Sequence, residues 1–269
     1  MITTNFHTHT SFCDGKDTPE EMVVEAIKKG FTALGFSGHS FFEPEKEINM
    51  SAEVQKEYIK QITELKEKYK GKIKIFCGIE QDIFSDEPLY PYDYRIGSVH
   101  NILKNGKYYD VDASVESTKN TVDTVYGGNF DAFAEDYFAL FGTVLEKTNA
   151  DIIGHIDLVS KFSETLGYGQ SDRFLKACEA AIIKLVPYNK PFEINTGAMS
   201  RGARSIPYPT REILELIKKH GGKIAFSSDC HNKDYLDFGF DKAVELALNV
   251  GFCEHAIITE NGIEYVPIK

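Results

Sequence analysis

Two histidines near the start of the chain, separated by one residue, are the first candidates for chemistry. His7 and His9 lie in the stretch NFHTHTSFCDG, in a chain that has only eight histidines. Side chains at positions i and i+2 of a strand point to the same face, so both imidazoles would aim together. One such pair is equally consistent with hydrogen-bonded structural histidines. It becomes informative only if other segments supply partners in the right places.

Polar residues of the same kinds end several other apolar runs, in the segments SGHS, GIEQD, SVH, GHID and SSDCH. The candidates at these ends are His39, Glu80, His100, His155, Asp229 and His231. Each residue taken singly is more often structural. Together, six of the eight histidines and two carboxylates form a ligand set typical of zinc, iron or manganese. One ion needs fewer ligands, so the sequence predicts two to three divalent transition metals.

Closely spaced divalent metals generate a hydroxide near neutral pH and hold the oxygens of a phosphoryl or carbonyl centre during its displacement. Two enzyme classes match this chemistry, phosphoesterases and metal-dependent amide hydrolases. A metal-binding or regulatory module without enzymatic activity is the alternative from another class. Open coordination positions and a basic loop beside the metals favour an enzyme, because a closed structural site needs neither.

Such a cluster requires a scaffold in which several strand ends meet. Seven strand-like runs recur along the chain: ITTNFHT, FTALGFS, IKIFCGIE, YRIGSVH, DIIGHID, PFEINT and KIAFSSD. Amphipathic helical patterns separate most of them, and one begins with Thr18 as N-cap and Pro19 in the first turn and stops at Gly30. This alternation predicts an α/β fold with parallel strands. Seven units favour a barrel, with its active site at the C-terminal ends of the strands.

Residues 101–130 depart from the alternation. Their sequence, NILKNGKYYDVDASVESTKNTVDTVYGGNF, has the dipeptide Asn-Gly as a turn signal. We expect a hairpin or a long loop over the strand ends. Long excursions of this kind are more often functional than not.

A chain of 269 residues is within the range of one α/β barrel, so we expect a single domain over residues 1–269. The formal net charge of −11 argues against nucleic acid as the main partner, because a nucleic-acid backbone needs a basic footprint. The start MITTNF lacks a secretory signal, and no apolar run approaches the ~18 residues of a membrane span. Five scattered cysteines without a CxxC pair indicate reduced thiols. We therefore expect a cytoplasmic protein without a membrane partner.

The motifs, in their order and number, resemble the polymerase and histidinol phosphatase (PHP) family over essentially the full chain. The matching segments are FHTHT, GHS, GIE, SVH, GHID and SSDCH. The resemblance implies a distorted (β/α)7 barrel with three metals. HxH on the first strand is shared with metal-dependent amidohydrolases, but many of those carry a carboxylated lysine on a middle strand, where this chain offers Glu80.

The resemblance also implies which residues bind each metal. The ligands of the first metal would be His7, His9, Glu80 and Asp229. Glu80 would bridge to a second metal completed by His100 and His155, and a third would be bound by His39, His231 and Asp14. Several relatives carry histidine at the position of Asp14, and this residue could instead be only the turn residue of CDG.

The segment FEINTGAMSRGARSIPYPT resembles the histidinol-phosphatase branch of the family. Its loop carries Arg201 and Arg204, and the fork of an arginine matches phosphate, although both could be solvated loop charges. Lys161, just beyond His155, is a further phosphate candidate. Asp157 could bind a cationic group of the substrate or pass a proton to the leaving alkoxide.

The ligand set predicts a metal-dependent phosphoesterase or amide hydrolase. The resemblance to the histidinol-phosphatase branch implies a phosphomonoesterase that hydrolyses L-histidinol phosphate to L-histidinol and phosphate, in histidine biosynthesis, by a metal-bridging hydroxide. The first alternative is another phosphoesterase of the same family, acting on phosphotyrosine or a nucleotide. A metal-dependent amidohydrolase is the second. The predicted partner is thus a small phosphomonoester, and the ligand set suits zinc, iron and manganese alike.

Overall fold

The structure is a computed structural model that describes residues 2–86 and 90–268. Its strands are β1 (Thr4–Asn5), β2 (Ala33–Phe36), β3 (Lys74–Asp82), β4 (Tyr94–Ser98), β5 (Asn101–Lys104), β6 (Lys107–Asp110), β7 (Ile152–Ile153), β8 (Pro191–Asn195), β9 (Lys223–Ser227), β10 (Glu254–Thr259) and β11 (Gly262–Pro267). The helices of this part are α1 (Pro19–Lys28), α2 (Ala52–Lys68), α3 (Val115–Val125), α4 (Phe130–Phe141), α5 (Val144–Thr148), α6 (Ser163–Leu166), α7 (Asp172–Leu185), α8 (Gly197–Ser200), α9 (Arg211–Lys219) and α10 (Phe240–Val250).

Seven parallel strands form the central sheet, in the order β1, β2, β3, β4, β7, β8, β9. Each corresponds to one of the seven predicted runs. The sheet curls until the segment after β1 meets the segment after β9, where Thr8 bridges Cys230 and the His9 N–H donates to the Cys230 carbonyl at 2.9 Å. Strands β10 and β11 extend the sheet beside β9. The predicted α/β barrel class is confirmed.

Helix α1 illustrates how local sequence sets the boundaries of these elements. The Thr18 hydroxyl accepts from the Glu21 N–H, and the Glu21 carboxylate accepts from the Thr18 N–H, so the two residues form a capping box. Pro19 occupies the first turn, where no backbone donor is required. Gly30 follows the helix at a φ of +79°, a conformation that glycine adopts without strain. The predicted start and stop of this helix are therefore confirmed.

A single tyrosine fills the space between three strands inside the barrel. Tyr94 on β4 is buried, and a Cβ added to Gly35 on β2 or Gly78 on β3 would overlap its ring. Its hydroxyl donates to the Phe6 carbonyl at 2.5 Å. Buried hydroxyl groups need such a partner. The small residues of two strands thus make room for one large side chain of the next.

The excursion after β4 begins with the predicted hairpin. Strands β5 and β6 pair antiparallel, and their turn residues Asn105 and Gly106 have φ values of 53° and 75°. Both values are positive, as a type I′ turn requires. Of the two predicted possibilities, a hairpin or a long loop, the hairpin is present, and helix α3 follows it without having been predicted. Its buried face is largely Thr118, Thr121 and Val122, and threonines at helical spacing do not read as an apolar stripe.

No described helix combines the length and the apolar character needed to cross a lipid bilayer.

Candidate metal centre

The nine predicted metal ligands gather at the C-terminal ends of the barrel strands. Strands β1 and β7 have only two residues each, so most of these side chains lie in the turn just after a strand. Glu80 lies within β3, and Asp14 lies further along the connection between β1 and α1. The His7 and His9 rings are 5.2 Å apart, between centroids, and both Nε2 atoms face Glu80. The two imidazoles point in the same direction, as expected, although β1 ends before both residues.

Glu80 lies at the centre of the cluster and presents its two carboxylate oxygens to different histidines. Oε1 lies 3.3 Å from Nε2 of His100 and 3.0 Å from Nε2 of His155. Oε2 lies 3.0–3.5 Å from ring nitrogens of three others, His39, His7 and His9. A carboxylate placed in this way would offer one oxygen to each of two ions.

Asp229 completes the side of the cluster next to β1. Its Oδ1 lies 3.3 Å from Nε2 of His9 and 3.7 Å from Nε2 of His7. These two nitrogens are buried and have no hydrogen-bond partner among the described residues. A buried polar atom without a partner is costly. Imidazole nitrogens directed at carboxylates in this way fit a metal ion that all of them bind.

Asp14 turns its carboxylate toward the outer part of the cluster. Its Oδ2 is 2.9 Å from Nε2 of His231 and 3.6 Å from Nε2 of His39, and its Oδ1 is 3.3 Å from Nδ1 of His9. Of the two readings left open for this residue, the geometry favours the one that places it with the ligands.

Four overlapping groups of these side chains have ligand atoms within 4.8 Å of one another, which is close to the separation of two ligands of one ion. The groups are His9, Asp14, His39 and His231; His7, His155 and Asp229; His7, His9 and Glu80; and His39, Glu80 and His100. The cluster therefore provides for divalent metal binding. The role of each individual residue stays a prediction.

The buried carboxylates make it favourable for the cluster to bind positive charge. Burial alone would lower the pKa of His7, but the carboxylates of Glu193, Glu80 and Asp229 outweigh it and raise that pKa to about 10. Burial would likewise raise the pKa of Glu80, and the surrounding histidines instead hold it well below its usual range. Either protons on the histidines or bound metal ions can supply this positive charge, so metal binding competes with protonation of the histidines.

Two carboxylates that the sequence reasoning missed orient the candidate ligands from behind. Glu193 on β8 lies 2.6 Å from Nδ1 of His7 and also accepts the His155 N–H at 3.0 Å. Asp82 on β3 lies 3.1 Å from Nδ1 of His100 and accepts its backbone N–H at 2.9 Å. Such carboxylates fix the ring orientation of metal-binding histidines. The position of Asp82, two residues after Glu80, was the available signal for it.

Seven of the nine clustered residues form the floor of a cavity of about 340 Å³, and His7 and His9 are buried in the cluster without lining it. This volume is within the usual range for small-molecule sites. Around the floor stands a wall of residues from the connections: Phe42, Glu45, Asp110, Asp112, Leu158, Lys161 and Arg201. Basic and acidic groups thus both line the cavity, together with apolar ones.

Arg201 and Lys161, the two cations of the wall, are engaged differently. Arg201 donates from Nη1 to the Asp229 carbonyl and lies near Nδ1 of His231, both at 2.9 Å, and its Nη2 is 3.1 Å from Oδ2 of Asp229. Its side chain is still 32% exposed. Lys161 donates to the carbonyl and to a carboxylate oxygen of Asp112, each at 2.8 Å. Both charges are therefore paired with a carboxylate, but the partner of Lys161 lies outside the ligand cluster, whereas the partner of Arg201, Asp229, belongs to it.

Arg204, a predicted phosphate ligand, and Asp157, predicted to bind a cationic group of the substrate or to pass on a proton, lie in direct contact with each other. Nη1 of Arg204 is 3.2 Å from Oδ2 of Asp157, both side chains are buried, and neither residue lines the cavity. A charge buried away from water is costly unless an opposite charge pairs with it. Asp157 and Arg204 form such a pair although they are 47 positions apart in the chain. Direct contact of either residue with substrate remains a prediction that this geometry does not favour.

Comparison with known proteins finds one matching family model and relatives that cover most of this chain. The family model described as PHP domain matches residues 5–197. The histidinol-phosphatase of Bacillus subtilis is 26% identical over 89% of this chain and 97% of its own length. The histidinol-phosphatase of Lactococcus lactis is 28% identical over 97% of this chain and 94% of its own length.

A solved structure shares the fold. It is the histidinol phosphate phosphatase of Lactococcus lactis, solved in complex with zinc, L-histidinol and phosphate. It superposes with a TM-score of 0.74 at 23% identity and covers 97% of this chain and 98% of its own.

Proposed function

This chain belongs to the PHP domain family, and we propose that it hydrolyses L-histidinol phosphate to L-histidinol and phosphate in histidine biosynthesis. The observation that carries the proposal is the cavity itself, with a metal-binding floor and an arginine above it. Relatives of similar length with the histidinol-phosphatase name support the choice of substrate.

We propose that two to three divalent ions occupy the floor. His7, His9, Glu80 and Asp229 would bind the first, Glu80, His100 and His155 the second, and Asp14, His39 and His231 the third. The donors are imidazole and carboxylate, which suits zinc, iron and manganese. When bound, such ions activate water as the nucleophile and offset charge on the phosphoryl oxygens.

The side chains of this protein would orient the reacting groups. Glu193 holds His7 through Nδ1, and Asp82 holds His100 in the same way, so the Nε2 atoms stay directed at Glu80. Arg201 projects over the same floor from the loop after β8. We propose that its guanidinium leaves Asp229 in part to bind two phosphate oxygens, a geometry that fits its fork.

The substrate also carries an amine and an imidazole, which are cationic or polar. The wall offers Glu45, whose Oε1 accepts from the Asn101 amide at 2.6 Å, and the apolar side chains of Phe42 and Leu158. We propose that Glu45 faces the amine, in place of Asp157, and that the apolar groups pack against the ring. This arrangement separates the anionic and cationic ends of the substrate.

All five cysteines are free thiols. Free thiols persist in a reducing compartment, so we propose the cytoplasm as the location.

A panel of phosphomonoesters tests the proposed function. The purified protein, loaded with zinc or manganese, is assayed for phosphate release from histidinol phosphate, phosphotyrosine, a nucleoside monophosphate and p-nitrophenyl phosphate. We expect the highest kcat/KM with histidinol phosphate. Equal or higher kcat/KM with the aryl phosphate would contradict the assignment to histidine biosynthesis.

A further inference from the structure

Asp157 and Arg204 are two charged side chains enclosed beside the cavity. Their side chains are 0% and 3% exposed, and Oδ2 of Asp157 lies 3.2 Å from Nη1 of Arg204. Neither residue lines the cavity. Charged groups are rarely buried in this way unless they are paired. Any contribution they make to the reaction must pass through other residues.

The guanidinium of Arg204 is held from more than one direction. Nη1 also donates to Oγ of Ser160 at 3.1 Å, and that hydroxyl donates to the Asp157 carbonyl at 2.7 Å. The guanidinium carbon lies 4.2 Å from the centre of the Tyr208 ring. A planar cation with a carboxylate and a hydroxyl at its edge and an aromatic ring below its face has little freedom to move.

The pair joins two separate segments of the chain. Asp157 lies in the turn after β7, and Arg204 lies in the loop after β8, three residues beyond Arg201. Backbone hydrogen bonds of 2.8 Å between Asn195 and Tyr208, one in each direction, close the base of this loop. The Asp157–Arg204 pair attaches the loop closer to its tip, next to Ser205, whose N–H and hydroxyl donate to the Glu164 carboxylate.

We propose that this buried pair is a positioning device that anchors the loop carrying Arg201, so that the Arg201 guanidinium lies over the metal cluster. The inference rests on the proposed function, because it requires Arg201 to contact phosphate. A buried ion pair adds little net stability over apolar side chains of similar volume, so stability alone is a poor explanation for it. Its geometric consequence, a fixed place for Arg201, is the better one.

A double-mutant cycle tests the proposal. The variants Arg204→Gln, Asp157→Asn, Arg201→Gln and the combination Arg201→Gln with Arg204→Gln are loaded with metal and assayed with histidinol phosphate and p-nitrophenyl phosphate. Inhibition by inorganic phosphate is measured on each. Arg211→Gln removes an exposed arginine paired with Glu215 and serves as the matched control.

We expect Arg204→Gln and Asp157→Asn each to lower kcat/KM by about 10- to 100-fold, since a small misplacement of a binding group has effects of this size. The phosphate inhibition constant should rise in parallel. In the Arg201→Gln background, adding Arg204→Gln should cause little further loss, because the residue that it positions is already absent. Arg211→Gln should match the wild type.

Two results would overturn the proposal. If the Arg201 and Arg204 effects multiply, Arg204 acts independently of Arg201, either on phosphate directly or on stability. If Arg204→Gln lowers the melting temperature but leaves kcat/KM of the folded enzyme unchanged, the pair is only structural. Should Arg204→Gln not fold, Arg204→Lys keeps the charge without the fork and enters the same cycle, with a smaller expected loss.

Different results would contradict the proposed function and the proposed role of the ion pair. A wild type that hydrolyses p-nitrophenyl phosphate but not histidinol phosphate would contradict the substrate, and the cycle could still be read on the aryl ester. If the enzyme hydrolyses histidinol phosphate and the effects of the Arg201 and Arg204 substitutions multiply, only the proposed role of the ion pair is contradicted.

Discussion

The floor and the wall of the cavity differ in where their side chains come from and in how tightly they are held. Floor residues such as Glu80, His155 and Asp229 lie within or directly after parallel strands, and at most 5% of each is exposed. Wall residues such as Arg201 and Glu45 lie several residues further along each connection, and the Arg201 side chain is 32% exposed. The floor is therefore suited to fixed metal chemistry, and the wall to recognition of the substrate.

The largest effect should follow loss of a floor ligand. Asp229→Ala removes a carboxylate that faces both His7 and His9, so the variant should lose metal and activity together. Turnover should fall by at least about 10³-fold, because bound metal supplies both the nucleophile and charge stabilisation. Metal analysis and kinetics on the same sample measure both quantities, and His7→Ala should behave alike.

The control for this loss is a histidine outside the cluster. His220 lies after α9 and pairs with Glu179 at 2.7 Å, so His220→Ala should keep its metal and its activity. Full turnover by Asp229→Ala after chelation would contradict the metal-centre account.

A smaller loss should follow changes behind the ligands. Glu193→Gln keeps the shape of the side chain but removes the charge that faces Nδ1 of His7. Carboxylates that hydrogen-bond a metal-binding histidine typically affect metal affinity or activity by about 10- to 100-fold. Metal affinity, measured by competition with a chelator, should weaken while the melting curve of the folded barrel stays cooperative. Unchanged affinity would mean that the ring orientation of His7 does not depend on this contact.

The floor could be predicted from sequence because strand geometry is regular. Parallel strands end at one edge of a barrel, so polar residues after each apolar run must meet there. Glu193 was missed because it lies in the middle of β8, where an acid among apolar residues gives no strand-end signal. The wall could not be predicted in this way. The contact between Asp157 and Arg204 depends on how two loops fold, and no spacing rule links them.

Loss of a wall residue that contacts phosphate should have an effect similar in size to that of Glu193→Gln. Arg201→Ala should lower kcat/KM by roughly 10- to 150-fold, the equivalent of ~1.5–3 kcal/mol for a charge-assisted hydrogen bond. The loss should be mainly in KM if the contact is made equally before and during reaction. It should affect histidinol phosphate and aryl phosphates alike, with normal metal content. A loss of metal instead would assign Arg201 to the floor.

The smallest effect should come from a substitution of the wall residue Glu45. Glu45→Gln should lower kcat/KM for histidinol phosphate by about two- to fivefold, since a partly exposed ion pair contributes little. Hydrolysis of p-nitrophenyl phosphate, which has no amine, should be unchanged. Equal losses on both substrates would show that Glu45 does not recognise the amine. The ratio of the two kcat/KM values is therefore the quantity to compare between variant and wild type.

The most direct test of the central claim, a metal centre built from strand ends, is a metal titration of the chelated protein with turnover measured at each step. Activity should be absent in the metal-free protein and should return as two to three equivalents of zinc or manganese bind. The circular dichroism spectrum should show a folded barrel throughout. Full turnover in protein shown to contain no metal would contradict the account.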